Sequence, residues 1–416
     1  MFARTSARDP ITSGAAWCRR AAGGVIRRLR TAPGPERVAS AAEVGGTVVT
    51  LSSEGKGPWM DSPAPCPADG PFAEPVHESS WVKHLPGRAR VGVRIEEGSV
   101  LLEEGFVLAD RGRILVEEVP TSLSGRVDRL PSRIPRPSRQ LRGAVAAVGT
   151  WAAHNYYHWM MEGLARIQMI RSAFPDLPAD VRWYGPNSQP FHAETLRRAG
   201  IEPEAFIDAG RTKRLRAETV YASSAPNFTG WVCGADVEYV RSLFAKELTQ
   251  APPPEPGGKL GSERLGGRRL YLSRSDAGDR RPVIDEPNLR PICEKHGFEW
   301  ITMSGRTVAQ QATLFASAEA IVSPHGAALT NLAFCRPRTR VAEIFNPNFW
   351  NLCYQTLAER VGIDYRVRFG EGRRPPRKER ANVFDPIVIR PEVFDALLDE
   401  LLNRPRPSVP TAEPPV

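Results

Sequence analysis

The sequence lacks the long apolar runs that mark a membrane protein. No stretch of its 416 residues approaches the ~18 consecutive apolar residues of a membrane-spanning helix. The N-terminal run MFARTSARDPITSGAAWCRRAAGG also lacks the apolar central region of a secretory signal peptide. These two absences predict a cytoplasmic protein.

Residues that pair as disulfides or bind metals are few and scattered. The six cysteines stand at positions 18, 66, 233, 293, 335 and 353, and no two have C-x-x-C spacing. The seven histidines form no H-E-x-x-H motif and no other cluster with metal-ligand spacing. The sequence therefore predicts free thiols and no metal site.

Neither sign of charge strongly dominates the chain. Lys and Arg number 56 against 47 Asp and Glu, and the net charge of +9 suits an anionic ligand, a membrane surface or nucleic acid without choosing among them. Hydrophobic residues make up 41% and charged residues 25%, which excludes a collagen, a coiled coil or a wholly disordered chain. The charge is spread and no nucleic-acid-binding signature is present, so we expect no nucleic-acid partner.

Composition divides the chain into two regions flanked by arms. Residues 1–75 are rich in Ala, Gly, Ser and Pro and predict a poorly ordered basic arm. Within it, residues 15–30 are either an amphipathic helix that touches an anionic membrane peripherally or a solvated basic tail. Residues 251–267 are dense in Pro and Gly and predict a linker. The linker separates an N-terminal domain, 76–250, from a C-terminal domain, 268–390.

Both regions alternate predicted strands with predicted helices. Strand-like runs stand at 144–151, 268–274, 318–324 and 340–347, and helical patterns at 155–174, 286–297 and 391–404. This alternation is typical of βαβ units and predicts an α/β fold with two Rossmann-like domains that face a cleft. Ligands of such sheets bind beyond the carboxyl ends of the strands. The last segment, 405–416, predicts a Pro-rich disordered tail.

The first candidate site lies at the start of the helix predicted over 155–174. On an α-helix His158, Glu162 and Arg166 lie within about 80° of one face. An acid–base pair there can take a proton from a hydroxyl, and the alternative is an ordinary i, i+4 pair on a solvated face. The neighbouring aromatic and amide residues are Asn155, Tyr156, Tyr157 and Trp159. Because a solvated helix start rarely carries three aromatic residues, we favour the functional interpretation.

The second candidate site is the segment SPHGAALTN, 323–331, between a predicted strand and a predicted helix. Gly326 and the alanines let the backbone approach a ligand, and the free amides of a helix start favour a phosphate. His325 can donate a hydrogen bond to a phosphate oxygen or a sugar hydroxyl. The alternative is a tight turn chosen for packing. The residues that we expect to contact the ligand are Ser323, His325, Gly326, Ala327 and Asn331.

The third candidate site follows the strand at 268–274. Arg274, Arg280 and Arg281 stand among Ser, Gly and Asp residues, and guanidinium groups bind phosphate oxygens in a bidentate manner. The alternative is a solvated charged loop. Glu286, further along, can simply favour a helix N-terminus. Glu343 lies on a strand that reads as buried and needs a partner, either a ribose diol or an arginine.

Together these segments resemble glycosyltransferase family 61, a family often labelled capsular polysaccharide biosynthesis proteins. The resemblance rests on NYYHWMMEGLARI, YLSRSDAGDRRPVIDEPNL and VSPHGAALTNLAFCRPRTRVAEIF, in the family's order, over roughly residues 90 to 370. It implies a GT-B fold and inverting transfer of a hexosyl or pentosyl group from a nucleotide-sugar to a glycan or lipid-linked glycan. It implies neither a cofactor nor a metal, and the sequence has no D-x-D triplet.

The resemblance also implies roles for individual residues. In the N-terminal domain, which the resemblance makes the acceptor side, His158 and Glu162 occupy the family's N-Y-Y-H-W-x-x-E motif, and one of these two is the general base, the choice being open. Asn155, Tyr157 and Trp159 of the same motif are acceptor-side residues. Arg274 stands in the Y-x-S-R element, and His325 and Gly326 stand in the P-H-G-A turn of the donor side.

Two points qualify this assignment. The acidic residues in SDAGDRR depart from the more basic run of the family, which weakens the case for Arg280 and Arg281 as diphosphate contacts. The alternative function is a non-catalytic protein that binds a nucleotide-sugar or a glycan. The intact pair of His158 and Glu162 argues against it, because a binding protein needs no base.

Overall fold

A computed structural model gives the architecture. It describes residues 31–33, 37–52, 89–102, 104–109, 114–116, 119, 133–136, 139–150, 152–226, 232–251, 267–278, 281–347, 349, 351–371 and 385–403. The chain divides into two compact units. Of the described residues, unit one comprises those up to Ser52 and those in Arg88–His154 and Glu162–Pro226, and unit two comprises those in Asn155–Met161 and those after Pro226.

The strands and helices are numbered in chain order. The strands of unit one are β1 (Thr31–Pro33), β2 (Arg37–Ala39), β3 (Thr47–Ser52), β4 (Arg90–Glu96), β5 (Ser99–Leu101), β6 (Phe106–Ala109), β7 (Ile114–Val116), β8 (Arg133–Pro135), β9 (Arg139–Ala147), β10 (Arg182–Gly185), β11 (Phe206–Asp208) and β12 (Arg214–Ser223). Those of unit two are β13 (Arg268–Leu272), β14 (Phe298–Ile301), β15 (Ala318–Pro324), β16 (Arg340–Phe345) and β17 (Asp364–Phe369). The α-helices are α1 (Tyr156–His158), α2 (Leu164–Ala173), α3 (Pro190–Arg198), α4 (Gly234–Leu243), α5 (Ala245–Gln250), α6 (Arg290–Lys295), α7 (Val308–Ala316), α8 (Cys353–Val361) and α9 (Pro391–Asn403). A π-helical segment spans Trp159–Gly163, and 3₁₀ helices span Ala42–Val44, Pro203–Ala205, Glu286–Leu289 and Ala327–Phe334.

Unit one is built on a mixed sheet rather than the purely parallel one expected of a Rossmann-like domain. Strands β11, β10, β9 and β12 are parallel neighbours, and β12 then pairs antiparallel with β4 and β5. Strand β4 alternates buried Val91, Val93 and Ile95 with exposed Arg94 and Glu96, so one face of the strand packs on the core. The antiparallel strands β4 and β5 come from the short strand-like runs that precede β9 in the sequence.

Part of the segment 1–75, expected to be a poorly ordered arm, belongs to this sheet. Strand β2 pairs with β7, and β3 pairs with β4. The alternating run TVVTLS explains β3, because such alternation favours a half-buried strand. Residues 15–30, the possible membrane contact, and the tail 405–416 lie outside the described residues.

Unit two has the parallel α/β sheet that the sequence predicts for its C-terminal region. The strand order is β14-β13-β15-β16-β17, and all four pairings are parallel. Strand β15 is buried along nearly its whole length, as expected of a strand covered on both faces. The core beside it includes Tyr271, Leu289, Phe298, Val322, Ile344, Phe394, Leu397 and Leu398.

The boundary between the units does not fall in the predicted linker 251–267. Helices α4 and α5 precede that linker and belong to unit two, where the Phe244 and Phe334 rings lie 5.0 Å apart. Helix α9 lies in the segment predicted as a C-terminal helix and buries Phe394 and Leu401. None of the helices in the described part of the chain combines the length and apolar character of a membrane span.

Candidate active site

Two of the candidate motifs follow neighbouring strands of unit two. Arg274 comes two residues after β13, and His325 comes directly after β15. Strands β13 and β15 are parallel and adjacent. Strand β14 lies on the far side of β13, and β15 to β17 follow on the other side, so the winding direction of the sheet reverses between β13 and β15. Such a reversal leaves a crevice at the carboxyl ends of the strands where ligands bind. The topology therefore brings Arg274 and His325 to one crevice.

Arg274 packs directly against Gly326. A Cβ atom added to Gly326 would lie 1.9 Å from Nη1 of Arg274. Gly326 has an extended backbone with φ −175°, a conformation open to any residue, so glycine is needed here for space. The Arg274 Nε donates a hydrogen bond to the carbonyl oxygen of Arg281 at 3.3 Å. Two residues that the sequence placed in separate motifs thus form one contact.

Arg281 supplies a second guanidinium beside Arg274. Its Cζ lies 5.4 Å from the ring centroid of Phe349, the distance of a cation–π contact. Burial, followed by the charge of Arg281, lowers the pKa of Arg274 to about 10, which leaves Arg274 cationic at neutral pH. Of the acidic residues that weakened the assignment of Arg281, Asp276 accepts a hydrogen bond from the Ser304 amide at 3.0 Å. Asp279 and Arg280 lie outside the described residues.

His325 is held by aromatic rings and by a buried carboxyl group. Its ring stacks on Phe345 at a centroid distance of 4.7 Å and lies 5.2 Å from Phe349 and 5.3 Å from Tyr354. Its Nδ1 shares a hydrogen bond with Glu343. Burial lowers the pKa of His325 well below its usual value, and the charges of Arg281 and Arg274 act in the same direction. We call Arg274, Arg281 and His325 the arginine–histidine cluster.

Glu343 does not have the partners expected from the sequence. Its carboxyl group is fully buried and binds His325 through one oxygen, while the other accepts a hydrogen bond from the Tyr365 hydroxyl. Burial raises the pKa of Glu343 to about 8, against the opposing effects of Tyr365 and Arg281. A group so enclosed cannot reach a ribose, so Glu343 acts on the site through His325.

Glu286 organises the backbone that carries Arg274. Its carboxylate accepts hydrogen bonds from the Tyr271 hydroxyl at 3.0 Å, the Ser273 hydroxyl at 2.9 Å and the Arg274 amide at 3.2 Å. It also stands in the first turn of the 3₁₀ helix Glu286–Leu289, where a carboxylate is favourable. Glu286 therefore ties this helix to the end of β13.

Two of the expected donor contacts are buried and engaged within the protein. The Asn331 side chain accepts a hydrogen bond from Tyr156 at 2.8 Å and donates to Gln311 at 2.7 Å and to the carbonyl oxygen of Ala328 at 3.0 Å. The Ser323 hydroxyl donates to the carbonyl oxygen of Pro324 at 2.8 Å. Both side chains therefore have hydrogen-bond partners within the protein.

The start of the NYYHW motif belongs to the same unit as the arginine–histidine cluster. The Asn155 side chain caps α1 by accepting a hydrogen bond from the Tyr157 amide at 2.9 Å, and Trp159 is fully buried. The Tyr157 ring lies 5.4 Å from His158 and 5.7 Å from Tyr354, which in turn contacts the ring of His325. Successive ring contacts thus connect His158 to His325 of the arginine–histidine cluster. Tyr354 takes part in these contacts, although it lies in none of the sequence motifs.

Glu162 and Arg166 are buried within unit one. Glu162 is 0% exposed and accepts a hydrogen bond from the Thr150 hydroxyl at 2.8 Å. Arg166 donates from Nη1 to the carbonyl oxygen of Ser223 at 2.6 Å, and burial lowers its pKa to about 10 although Glu162 opposes the shift. The alternative of an ordinary pair on a solvated helix face is therefore wrong. The helical projection also fails locally, because residues Trp159–Gly163 are π-helical.

One group of described residues has metal-like spacing, and it lies on α6 and α9. His296, Asp395 and Asp399 bring their ligand atoms within 4.8 Å of one another. The Asp395 carboxylate already accepts hydrogen bonds from Lys295 at 2.8 Å and contacts His296 at 2.6 Å. These contacts join the C-terminal end of α6 to α9.

The comparison with known families agrees with the resemblance found in the sequence. Residues 156–342 match the model of the family Glycosyltransferase 61. The match begins in α1 and ends in β16, so it includes the motifs of His158, Arg274 and His325. No curated protein matches the chain.

Strands β13 and β15, which are followed by Arg274 and His325, thus lie in a segment that is similar to a glycosyltransferase family. Over these residues the protein is similar to glycosyltransferase family 61, as its three ordered motifs indicated.

Proposed function

We propose that this protein transfers a sugar from a nucleotide-sugar to a hydroxyl of a glycan acceptor, with inversion and without a metal. The observation that supports it most is the contact of Arg274 with Gly326, beside Arg281, at the carboxyl ends of β13 and β15. The parallel sheet of unit two also fits the donor half of the GT-B fold that the family implies. The family's role in surface or capsular polysaccharide synthesis is the corresponding cellular setting.

The arginine–histidine cluster suits a diphosphate leaving group. Two guanidinium groups present bidentate donors to phosphate oxygens, and the neutral His325 adds a hydrogen bond without a competing charge. Such preorganised donors stabilise the charge that develops on the diphosphate as the glycosidic bond breaks. In this proposal the arginines supply the positive charge that a metal supplies in other transferases.

We assign the general base to His158. The acceptor hydroxyl attacks the anomeric carbon from the face opposite the diphosphate, and His158 takes the proton of that hydroxyl. His158 is 8% exposed and connects to His325 through the rings of Tyr157 and Tyr354. Glu162, fully buried beside Thr150 and Arg166, stabilises the helix instead.

The proposal is tested by thermal unfolding in the presence of nucleoside diphosphates and nucleotide-sugars, each with and without EDTA. A ligand at ~100 times its dissociation constant adds about 2.7 kcal/mol of stability. We expect one nucleotide to stabilise the wild type equally with and without EDTA. We also expect Arg274→Ala to lose that stabilisation.

Arg290→Ala is the matched control, because Arg290 is an exposed arginine of the same unit paired with Glu294. It should bind the nucleotide like the wild type. Stabilisation that EDTA abolishes contradicts the metal-free mechanism. Stabilisation that survives Arg274→Ala contradicts the donor site, and turnover absent despite nucleotide binding favours the non-catalytic alternative.

A further inference from the structure

The two ring nitrogens of His325 have different surroundings. Nδ1 is hydrogen-bonded to Glu343, whereas Nε2 makes no hydrogen bond to any residue that the structure describes. The side chain retains 8% exposure although Phe345 and Phe349 pack around the ring. A neutral imidazole carries one proton, and the partner of one nitrogen decides which nitrogen holds it. Glu343 therefore determines what Nε2 offers to a ligand.

Glu343 allows two arrangements of protons. As a carboxylate it accepts the Nδ1 proton and leaves Nε2 with a lone pair. As a carboxylic acid it donates its own proton to Nδ1, which requires the imidazole proton to be on Nε2. The Tyr365 hydroxyl donates to the second oxygen of Glu343 in either case.

The surroundings of Glu343 favour the protonated acid. The carboxyl group is 0% exposed, so the charged form loses nearly all of its solvation. Burial accordingly raises the pKa of Glu343 to about 8, and the pKa of His325 lies well below its usual value. At neutral pH the pair therefore consists of a protonated acid and a neutral imidazole.

We propose that Glu343 is a positioning residue that holds a proton and so fixes His325 as a hydrogen-bond donor, through its Nε2–H, to the departing diphosphate. This inference rests on the proposed function of the site. Loss of the Glu343 proton to solvent would move the imidazole proton to Nδ1 and turn a lone pair on Nε2 toward the phosphate oxygens. His325 thus supports the leaving group and does not act as a base.

The proposal has a defined consequence for pH. A carboxyl group with a raised pKa keeps its proton below that pKa and loses it as pH rises through it. Nucleotide affinity should therefore be constant near pH 7 and fall above pH 8, by up to about tenfold for each pH unit.

Three of the groups around the pair titrate above this range. The charged and titratable groups that face it are Arg274, Arg281, Cys353, Tyr354 and Tyr365. Burial raises the pKa values of Cys353 and Tyr354 well above their usual values, and the pKa of Arg274 is about 10. The part of a loss of affinity between pH 7 and 9 that Glu343→Gln removes therefore reports the pair of Glu343 and His325.

Isothermal titration of the nucleoside diphosphate that stabilises the wild type, from pH 7 to 9, tests the proposal. Glu343→Ala should weaken binding at pH 7. Glu343→Gln should restore it, because a glutamine amide donates to Nδ1 and accepts from Tyr365, and it should remove the alkaline loss. Tyr365→Phe should move the loss to higher pH, because the Tyr365 hydroxyl lowers the pKa of Glu343. Weak binding by Glu343→Gln at pH 7, or an alkaline loss that persists in it, overturns the proposal.

The tautomer is also measured directly in the free protein. Long-range ¹H–¹⁵N spectra of ¹⁵N-histidine-labelled protein, with His325→Gln to assign the signal, should show a protonated Nε2 at pH 7. A protonated Nδ1 overturns the inference even if nucleotides bind. A wild type that binds no nucleotide overturns the proposed function, and with it the role of His325 toward a phosphate.

Discussion

Gly326 is the residue at which the geometry of the site is most sensitive to a single methyl group. Alanine can adopt its extended backbone, but the added Cβ would lie 1.9 Å from Nη1 of Arg274. Because that nitrogen ends a flexible side chain, the guanidinium moves and the fold stays. Gly326→Ala should therefore weaken nucleotide binding roughly ten- to a hundredfold, the worth of one hydrogen bond to a charged group. The melting temperature of the free protein should be unchanged.

The control is a double-mutant cycle measured by calorimetry. If Gly326→Ala acts by displacing the guanidinium, it should have no further effect on affinity in the Arg274→Ala background. An additive loss would mean that Gly326 contacts the nucleotide independently of Arg274.

The site residues that lie in sequence motifs could be predicted from the sequence. The residues that pack around them could not. Arg274, Gly326 and His325 stand in local patterns that suit phosphate binding. Tyr354 and Tyr365 reach the site only through the packing of α8 and the pairing of β17 with β16. The burial of Glu343 was predictable from its apolar strand, but its partners depend on the neighbouring strand, which the local sequence does not reveal.

At the scale of elements, the 3₁₀ helix Glu286–Leu289 holds the end of β13 through one carboxylate. Glu286→Gln replaces an acceptor oxygen by an amide group that faces donors such as the Arg274 amide and the Tyr271 hydroxyl. We expect a loss of about 1–3 kcal/mol in the free energy of unfolding, the usual effect of leaving a buried polar group unsatisfied. Nucleotide affinity should fall as well, since the backbone of Arg274 shifts.

Urea unfolding and calorimetry check this prediction against Glu294→Gln. Glu294 is an exposed carboxylate of α6 whose pair with Arg290 is worth at most about 1 kcal/mol. An equal effect of both substitutions would show that Glu286 has no special role in the strand end.

Hydrophobic patterns in the sequence predict the alternation of strands and helices in unit two. They do not predict whether a helix is an α-helix or a 3₁₀ helix. The segment Ala327–Phe334 is a 3₁₀ helix, and the Asn331 side chain bonds the carbonyl oxygen of Ala328 within it. Asparagine side chains compete in this way with the backbone bonds of an α-helix. The outcome of this competition depends on the other hydrogen-bond partners of Asn331. These are Tyr156 and Gln311, which are distant from Asn331 in the sequence.

At the scale of the whole molecule, composition predicts a linker at a position that differs from the observed boundary between the two units. The Pro- and Gly-rich run 251–267 was a sound linker signal, yet α4 and α5 pack with unit two. Arg241 of α4 donates hydrogen bonds to the carbonyl oxygens of Ala333 and Cys335. The unit to which a helix belongs depends on such long-range contacts, which cannot be predicted from composition.

The same division bears on the general base. His158 belongs to unit two and Glu162 to unit one, although only four positions separate them. We expect His158→Asn to lower turnover by ~10²–10⁴-fold, the usual cost of losing a general base, with unchanged nucleotide affinity. Glu162→Gln should instead lower the free energy of unfolding by about 3–5 kcal/mol, because it leaves the buried Arg166 cation without its opposite charge.

Two measurements separate these roles, namely steady-state turnover and urea unfolding of each variant. If Glu162 acts by balancing Arg166, the double variant Glu162→Gln/Arg166→Met should regain much of the lost stability, because no buried charge remains unpaired. Its folded form should turn over like the wild type, since His158 is intact. A Glu162→Gln protein that is as stable as the wild type but does not turn over would reverse the assignment.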